Sequence, residues 1–135
     1  MNKIYVTRIF YDDLSDPKTP EKQIERPSWQ DAERVINSLD GKVTTQICMD
    51  NGNEDNYFCV GGGNGGLCNV FVSENDNEII HTLLNPNPEP VTRRLVTGGQ
   101  AGDFEDKIVV PLETAMIAAK KYFETGKLCE EFEWE

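Results

Sequence analysis

The chain has little of what small enzymes, metal proteins and membrane proteins need. Its 135 residues include a single histidine, His81, and no apolar run approaches 18 residues, which excludes a membrane-spanning helix. The charged N-terminal segment lacks the apolar core of a signal peptide, so we expect a cytoplasmic protein. No P-loop, H-E-x-x-H or EF-hand spacing is present, and the sequence therefore predicts no cofactor and no metal.

The four cysteines, Cys48, Cys59, Cys68 and Cys129, also lack the close spacing of a zinc site. Three of them lie in apolar, strand-like runs, which predicts buried, reduced thiols. A Cys59–Cys68 contact across two strands is conceivable, but a cytosolic chain has little reason to oxidise it. His81 could act as a base for a cysteine nucleophile, although a lone histidine in a strand is more often a surface or boundary side chain.

Basic residues are missing from the middle of the chain. The net charge is −11, and residues 43–92 contain no Lys or Arg. Two acidic turns are predicted in that stretch, and they carry Asp50, Glu54, Asp55, Glu74, Asp76 and Glu78. A field of this sign repels nucleic acid and attracts a basic partner. The alternative interpretation is a solvated acidic surface that keeps the protein soluble.

Glycine, in contrast, is abundant in residues 61–66. Gly61, Gly63 and Gly66 match the dinucleotide pattern G-x-G-x-x-G. A nucleotide site needs a helix after the last glycine, whereas residues 67–72 are rich in β-branched and aromatic side chains and predict a strand. The cluster therefore predicts a connection between two antiparallel strands, and a second group at residues 98–103 predicts turns or bulges.

The pattern along the chain predicts one α+β domain over residues 1–135, with an antiparallel sheet of about five to seven strands and two main helices. One helix is predicted between a Ser28 cap and Asp40-Gly41, with Asp31 completing a short capping box. The other covers residues 112–124, with Pro111 in its first turn and Gly126 as its stop. Residues 12–27 predict an exposed loop, and strands are predicted at residues 3–10, 43–49, 57–60, 67–72, 79–84, 93–96 and 107–110.

Several segments together resemble a known family. They are S-W-Q-D-A-E at residues 28–33 with L-D-G at 39–41, V-G-G-G-N-G at 60–65, G-G-Q-A-G at 98–102, V-P-L-E-T-A at 110–115, Y-F-E-T-G at 122–126 and W-E at 134–135. In order and spacing they resemble the first-numbered immunity family of bacterial polymorphic and contact-dependent toxin systems. The resemblance covers residues 28–135.

This resemblance implies a cytoplasmic protein without catalytic activity. Such a protein binds the toxic domain delivered by a sibling cell and blocks its active site, and the toxins are often deaminases or nucleases. Because toxins of this kind need basic substrate channels, we expect the acidic turns, with the six carboxylates named above, to form the contact surface. Two other functions stay open: a small acidic adaptor that binds a basic host protein, and a small enzyme that uses His81.

Overall fold

A computed structural model describes residues 4–135 and contains two helices, α1 (Trp29–Asn37) and α2 (Leu112–Thr125). Its strands are β1 (Arg8–Asp12), β2 (Glu21–Glu25), β3 (Gln46–Asp50), β4 (Tyr57–Gly62), β5 (Leu67–Glu74), β6 (Ile79–Thr82), β7 (Thr92–Thr97), β8 (Gln100–Glu105) and β9 (Val110–Pro111). The first six form an antiparallel sheet in the order β2-β1-β3-β4-β5-β6, and β9 pairs with the start of β5. β7 and β8 form a separate hairpin. The predicted α+β domain with an antiparallel sheet and two helices is confirmed.

Both helices contribute to one hydrophobic core with the sheet. The strands supply it with alternate side chains, such as Ile47 and Met49 on β3 and Phe58 and Val60 on β4, all of them buried. Phe58 stacks on Tyr122 of α2, with ring centroids 5.2 Å apart. Because successive strand residues point to opposite sides, the intervening residues form a second face of the sheet.

The first helix begins as the sequence predicts. The Ser28 hydroxyl accepts a hydrogen bond from the Asp31 amide, and the Asp31 carboxylate accepts one from the Ser28 amide. The helix ends at Asn37, before the predicted Asp40-Gly41 stop. The Asp40 carboxylate instead accepts the amides of residues 42–44, which lowers the pKa of Asp40 and delays the start of β3 until Gln46.

Three strand predictions need correction. Glu21–Glu25, predicted as part of a loop, forms the edge strand β2, because this segment lacks proline and its Lys22 and Ile24 alternate with exposed polar residues. Residues 107–110, predicted as a strand, form a 3₁₀ turn at Asp106–Ile108 followed by the two residues of β9. In the first predicted strand, residue 3 lies outside the described residues and β1 begins only at Arg8. The second glycine group, predicted as turns or bulges over residues 98–103, forms a turn only at Gly98 and Gly99, because the residues from Gln100 onward pair with β7 as strand β8.

The end of α2 and the C-terminal tail agree with the prediction. Gly126 follows the last helical turn with a φ of 72°, which suits glycine because it carries no Cβ. Trp134 packs back on the body, where it pairs with Leu83 and its indole N–H donates to the carbonyl of Cys129.

The first glycine cluster joins β4 to β5 and lets three segments approach one another. A Cβ atom at Gly61 would lie 2.6 Å from Thr97 of β7, and one at Gly63 would lie 2.4 Å from the backbone of Leu39. The side chain of Asn64 accepts a hydrogen bond from the Val96 amide. The predicted strand connection is therefore confirmed, and the missing side chains admit both the β7–β8 hairpin and the segment after α1.

Two alanine substitutions distinguish the cost of a steric clash from the cost of a positive φ angle. Gly63→Ala places a Cβ against the Leu39 carbonyl at a φ of 99°, whereas Gly66→Ala has a φ of 78° and nothing within 4 Å. We expect urea unfolding to show a loss of about 1 kcal/mol for Gly66→Ala and more than about 3 kcal/mol for Gly63→Ala. Equal losses would contradict the packing role of Gly63.

The cysteine pairing differs from the expectation. Cys48 and Cys59 are direct partners in the β3–β4 register, with Cα atoms 4.3 Å apart, and they form a disulfide. The expectation of reduced thiols is thus wrong for these two, and so is the Cys59–Cys68 contact, because Cys59 faces Phe71 and Cys68 faces Gly62. Cys68 and Cys129 are free and buried, as predicted.

The disulfide predicts a dependence of stability on reductant. It closes a loop between residues 11 positions apart, and a loop of this length limits the unfolded chain enough to contribute about 2–3 kcal/mol. We expect oxidised protein to expose two thiols when unfolded and to lose stability on reduction. In the control variant Cys48→Ala/Cys59→Ala, reductant should leave the melting temperature unchanged. Four titratable thiols in the untreated protein would contradict this account.

Candidate functional site

The sheet face that points away from the helices carries an uninterrupted row of residues across all six strands. The register places Gln23, Phe10, Cys48, Cys59, Phe71 and Thr82 side by side. We call this side of the sheet the outer face, and Phe10, Cys48, Cys59 and Phe71 its central row. Cys59 is buried, whereas the other three members of the central row are partly exposed.

The two predicted acidic turns meet at one end of the outer face. They connect β3 to β4 and β5 to β6, and antiparallel pairing brings both connections to the same end of the sheet. The Asp76 amide donates to the Asp55 carbonyl over 3.0 Å, and the Asn75 amide donates to the Asn56 side chain over 3.2 Å. We call the four exposed carboxylates there, Glu54, Asp55, Asp76 and Glu78, the acidic edge.

The turn between β5 and β6 has an unusual backbone. Asn75, Asp76 and Asn77 have φ values of 53°, 55° and 68°, in the left-handed region that non-glycine residues seldom occupy. The side-chain oxygen of Asn77 accepts hydrogen bonds from the hydroxyls of Tyr57 and Ser73. These bonds and those to the neighbouring turn hold the acidic edge in one conformation.

Asp50 and Glu74 differ from the other four predicted contact residues. Asp50 is only 4% exposed, and its carboxylate accepts hydrogen bonds from Arg8 at 2.8 and 2.9 Å and from the Gly52 amide. This contact raises the pKa of Arg8. Glu74 lies 3.5 Å from the ring nitrogen of His81. Asp50 thus ties the first acidic turn to β1, and Glu74 flanks the acidic edge.

The cysteines and the histidine considered for catalysis do not form a pair of nucleophile and base in the structure. Cys48 and Cys59 are bonded to each other. Burial raises the pKa of the Cys68 thiol to about 11, so this thiol is protonated at neutral pH and is a poor nucleophile. The ring nitrogen of His81 lies 3.5 Å from Glu74, so its close side-chain neighbour is a carboxylate and not a thiol.

Two features of this face escaped sequence analysis. The central row depends on strand register, although the alternation of polar and apolar residues could have indicated which side chains share a face. A groove of about 460 Å³ lies beside the row, between β1 and the tip of the β7–β8 hairpin. Its lining includes Phe10, Leu14, Cys48 and Gly98.

Comparison with known protein families assigns the chain. The model of the family described as Immunity protein Imm1 matches residues 21–135. The chain belongs to this family. The match begins at β2 and includes both acidic turns and the whole outer face apart from β1, and it confirms the resemblance read from the sequence motifs. A search of curated proteins for individual relatives gave no match.

Membership of the Imm1 family makes this chain an immunity protein, a class for which a toxin protein is the expected partner. Neither of the two helices within residues 4–135 is long and apolar enough to cross a membrane.

The Arg8–Asp50 pair yields a prediction about stability. Asp50→Asn removes the buried carboxylate that pairs with the partly exposed guanidinium group of Arg8 and accepts the Gly52 amide. We expect a clear drop in melting temperature for this variant and almost none for Asp55→Asn, whose side chain is exposed. Equal drops, measured by calorimetry, would contradict a structural role for Asp50.

Proposed function

We propose that this immunity protein neutralises a cognate toxin by binding its toxic domain and covering the active site, with the acidic edge against basic residues of the toxin. The observation that carries the proposal is the joining of two acidic turns at one end of the outer face, where hydrogen bonds link Asp55 to Asp76 and Asn56 to Asn75. Four strands, β3 to β6, lie within the stretch that contains no Lys or Arg.

A toxin that acts on nucleic acid fits this surface best. A deaminase or nuclease needs a basic channel for its phosphate-bearing substrate, and an acidic surface competes for the same positive charges. Long-range attraction between the two proteins increases their association rate. The hydrogen-bonded turns add to affinity because little conformational entropy is lost on binding when a surface is already ordered. The place of action is then the cytoplasm of the cell that makes the immunity protein, where the Cys48–Cys59 disulfide would be an exception to the usual reduction of thiols.

Co-expression tests the function directly. The probe is the candidate toxin domain, sought at the C-terminus of the protein encoded immediately upstream and produced together with this chain in one cell. We expect the chain to restore growth and to co-purify with the domain at equal stoichiometry. Continued growth arrest without co-purification would contradict the proposal, and capture of a basic host protein in its place would favour the adaptor alternative.

Charge reversal tests the acidic edge. The variant Glu54→Lys/Asp55→Lys/Asp76→Lys should lower the association rate with the toxin domain by about tenfold or more at low salt, and its affinity should depend less on salt. The measurement is surface plasmon resonance between 50 mM and 500 mM NaCl, approximate limits that span weak to strong screening.

The matched control is Glu33→Lys/Glu113→Lys/Glu130→Lys, which changes the net charge equally at exposed positions outside the acidic edge. Its association rate should fall much less. Equal rates and equal salt dependence for the two triple variants would show that only net charge matters, and the proposed contact would then be wrong.

A further inference from the structure

Besides the acidic edge, the outer face carries partly exposed aromatic side chains. Antiparallel sheets that face water on one side usually present polar residues there. Here Phe10, Tyr57 and Phe71 are all partly exposed, and the rings of Tyr57 and Phe71 meet edge to face with centroids 6.1 Å apart. Aromatic side chains on an open sheet face indicate a surface that another molecule covers.

This apolar surface continues into the acidic edge. The hydroxyl of Tyr57 donates to Asn77 in the left-handed turn, and Tyr57 pairs with Ser73, which in turn pairs with Ile80. Ile80 is 51% exposed. A partner held by the acidic edge would therefore also meet Tyr57, Ile80 and the central row.

The charges on this face select a basic partner. By strand register, Arg8 is the one base among residues of β1 to β6 that points to the outer face, and Asp50 neutralises it. Lys22 lines the groove beside Phe10, and Asp16 neutralises it. The guanidinium carbon of Arg8 lies 5.1 Å from the centroid of the Phe10 ring. Arg8 already fills this site, but the same combination of aromatic ring and carboxylates recurs where Tyr57 adjoins the acidic edge, an environment that an incoming arginine favours.

The helix layer has a different character. Ile117 of α2 is 50% exposed, but the next turn carries Lys120 and Lys121, both exposed. Glu113 lines the same groove as Ile117, so the lysines and glutamates of α2 balance. The acidic edge, with four exposed carboxylates, is therefore the better match for a basic partner.

We propose that the toxin domain docks across the outer face, with the central row, Tyr57 and Ile80 as an apolar floor and the acidic edge as its charged rim. Arginine side chains of the toxin stack on the partly exposed aromatic rings and pair with the rim carboxylates. This proposal rests on the proposed function and specifies the surface that performs it. An interface of ordinary size covers about 800 Å² on each partner, which requires contacts beyond the two turns.

Two isoleucines of nearly equal exposure provide a matched test. Ile80→Arg places a positive charge on the proposed floor, and Ile117→Arg makes the same change on α2. The probe is the upstream-encoded toxin domain, and the measurement is the dissociation constant by isothermal titration calorimetry. We expect at least about a tenfold increase for Ile80→Arg and less than about a twofold increase for Ile117→Arg. Melting temperatures of both variants check that each is folded.

Hydroxyl-radical footprinting of the unmodified complex gives an independent readout, which does not depend on the folding of a variant. Binding should protect Tyr57 and Phe71 from oxidation and leave Ile117 unchanged. Unprotected Tyr57 and Phe71, or an equal loss of affinity in both arginine variants, would overturn the proposal while the immunity function stands. Failure of the unmodified chain to bind the toxin domain would overturn both proposals.

The oligomeric state of the free protein shows whether a second copy of this chain, and not the toxin domain, covers the outer face. A dimer of the free protein that Ile80→Arg dissociates, with toxin affinity unchanged, would show that a second copy covers this face and would also overturn the proposal. Analytical ultracentrifugation of the unmodified chain and of Ile80→Arg makes this measurement, and we expect the same sedimentation coefficient for both.

Discussion

The close approach of neighbouring segments to Gly61 and Gly63 determines how the rest of the molecule is arranged. Thr97 of the β7–β8 hairpin occupies the space of a side chain at Gly61, and the segment after α1 occupies that space at Gly63. The hairpin is thereby confined to one end of the outer face, where the Gly99 amide donates to the Thr45 hydroxyl. The hairpin leaves Phe10, Cys48 and Phe71 of the central row partly exposed, and the acidic turns stand at the far end.

The acidic edge places like charges together, so its geometry depends on bonds other than ionic ones. Backbone and amide hydrogen bonds link the two turns, and Asn77 fixes the second turn through Tyr57 and Ser73. Asp50 ties the first turn to Arg8. The left-handed backbone of residues 75–77 in the second turn persists only where the surrounding structure holds it. The repulsion among the carboxylates is thus offset by the fold, and an opposite charge on a partner relieves it.

Local patterns explain what sequence analysis predicted correctly. The cap formed by Ser28 and Asp31 and the stop at Gly126 depend on residues within a turn or two of each other, and the strands β4 and β5 follow from short apolar runs. The acidic turns were predicted as segments, but their hydrogen-bonded contact depends on which strands are neighbours. The burial of Asp50 depends on Arg8, 42 positions away.

The wrong predictions concern features that depend on pairing between distant strands. β2 has only one apolar side chain and becomes a strand by pairing with β1. The Cys48–Cys59 pairing and the central row follow from register, which a one-residue shift would change completely.

The most direct test of the account is a crystal structure of this chain bound to its toxin domain. We predict that the toxin lies on the outer face, with basic side chains near Asp55 and Asp76 and with Tyr57 and Phe71 buried at the interface. A toxin bound to α1 and α2, with the outer face still open to solvent, would contradict the central claim.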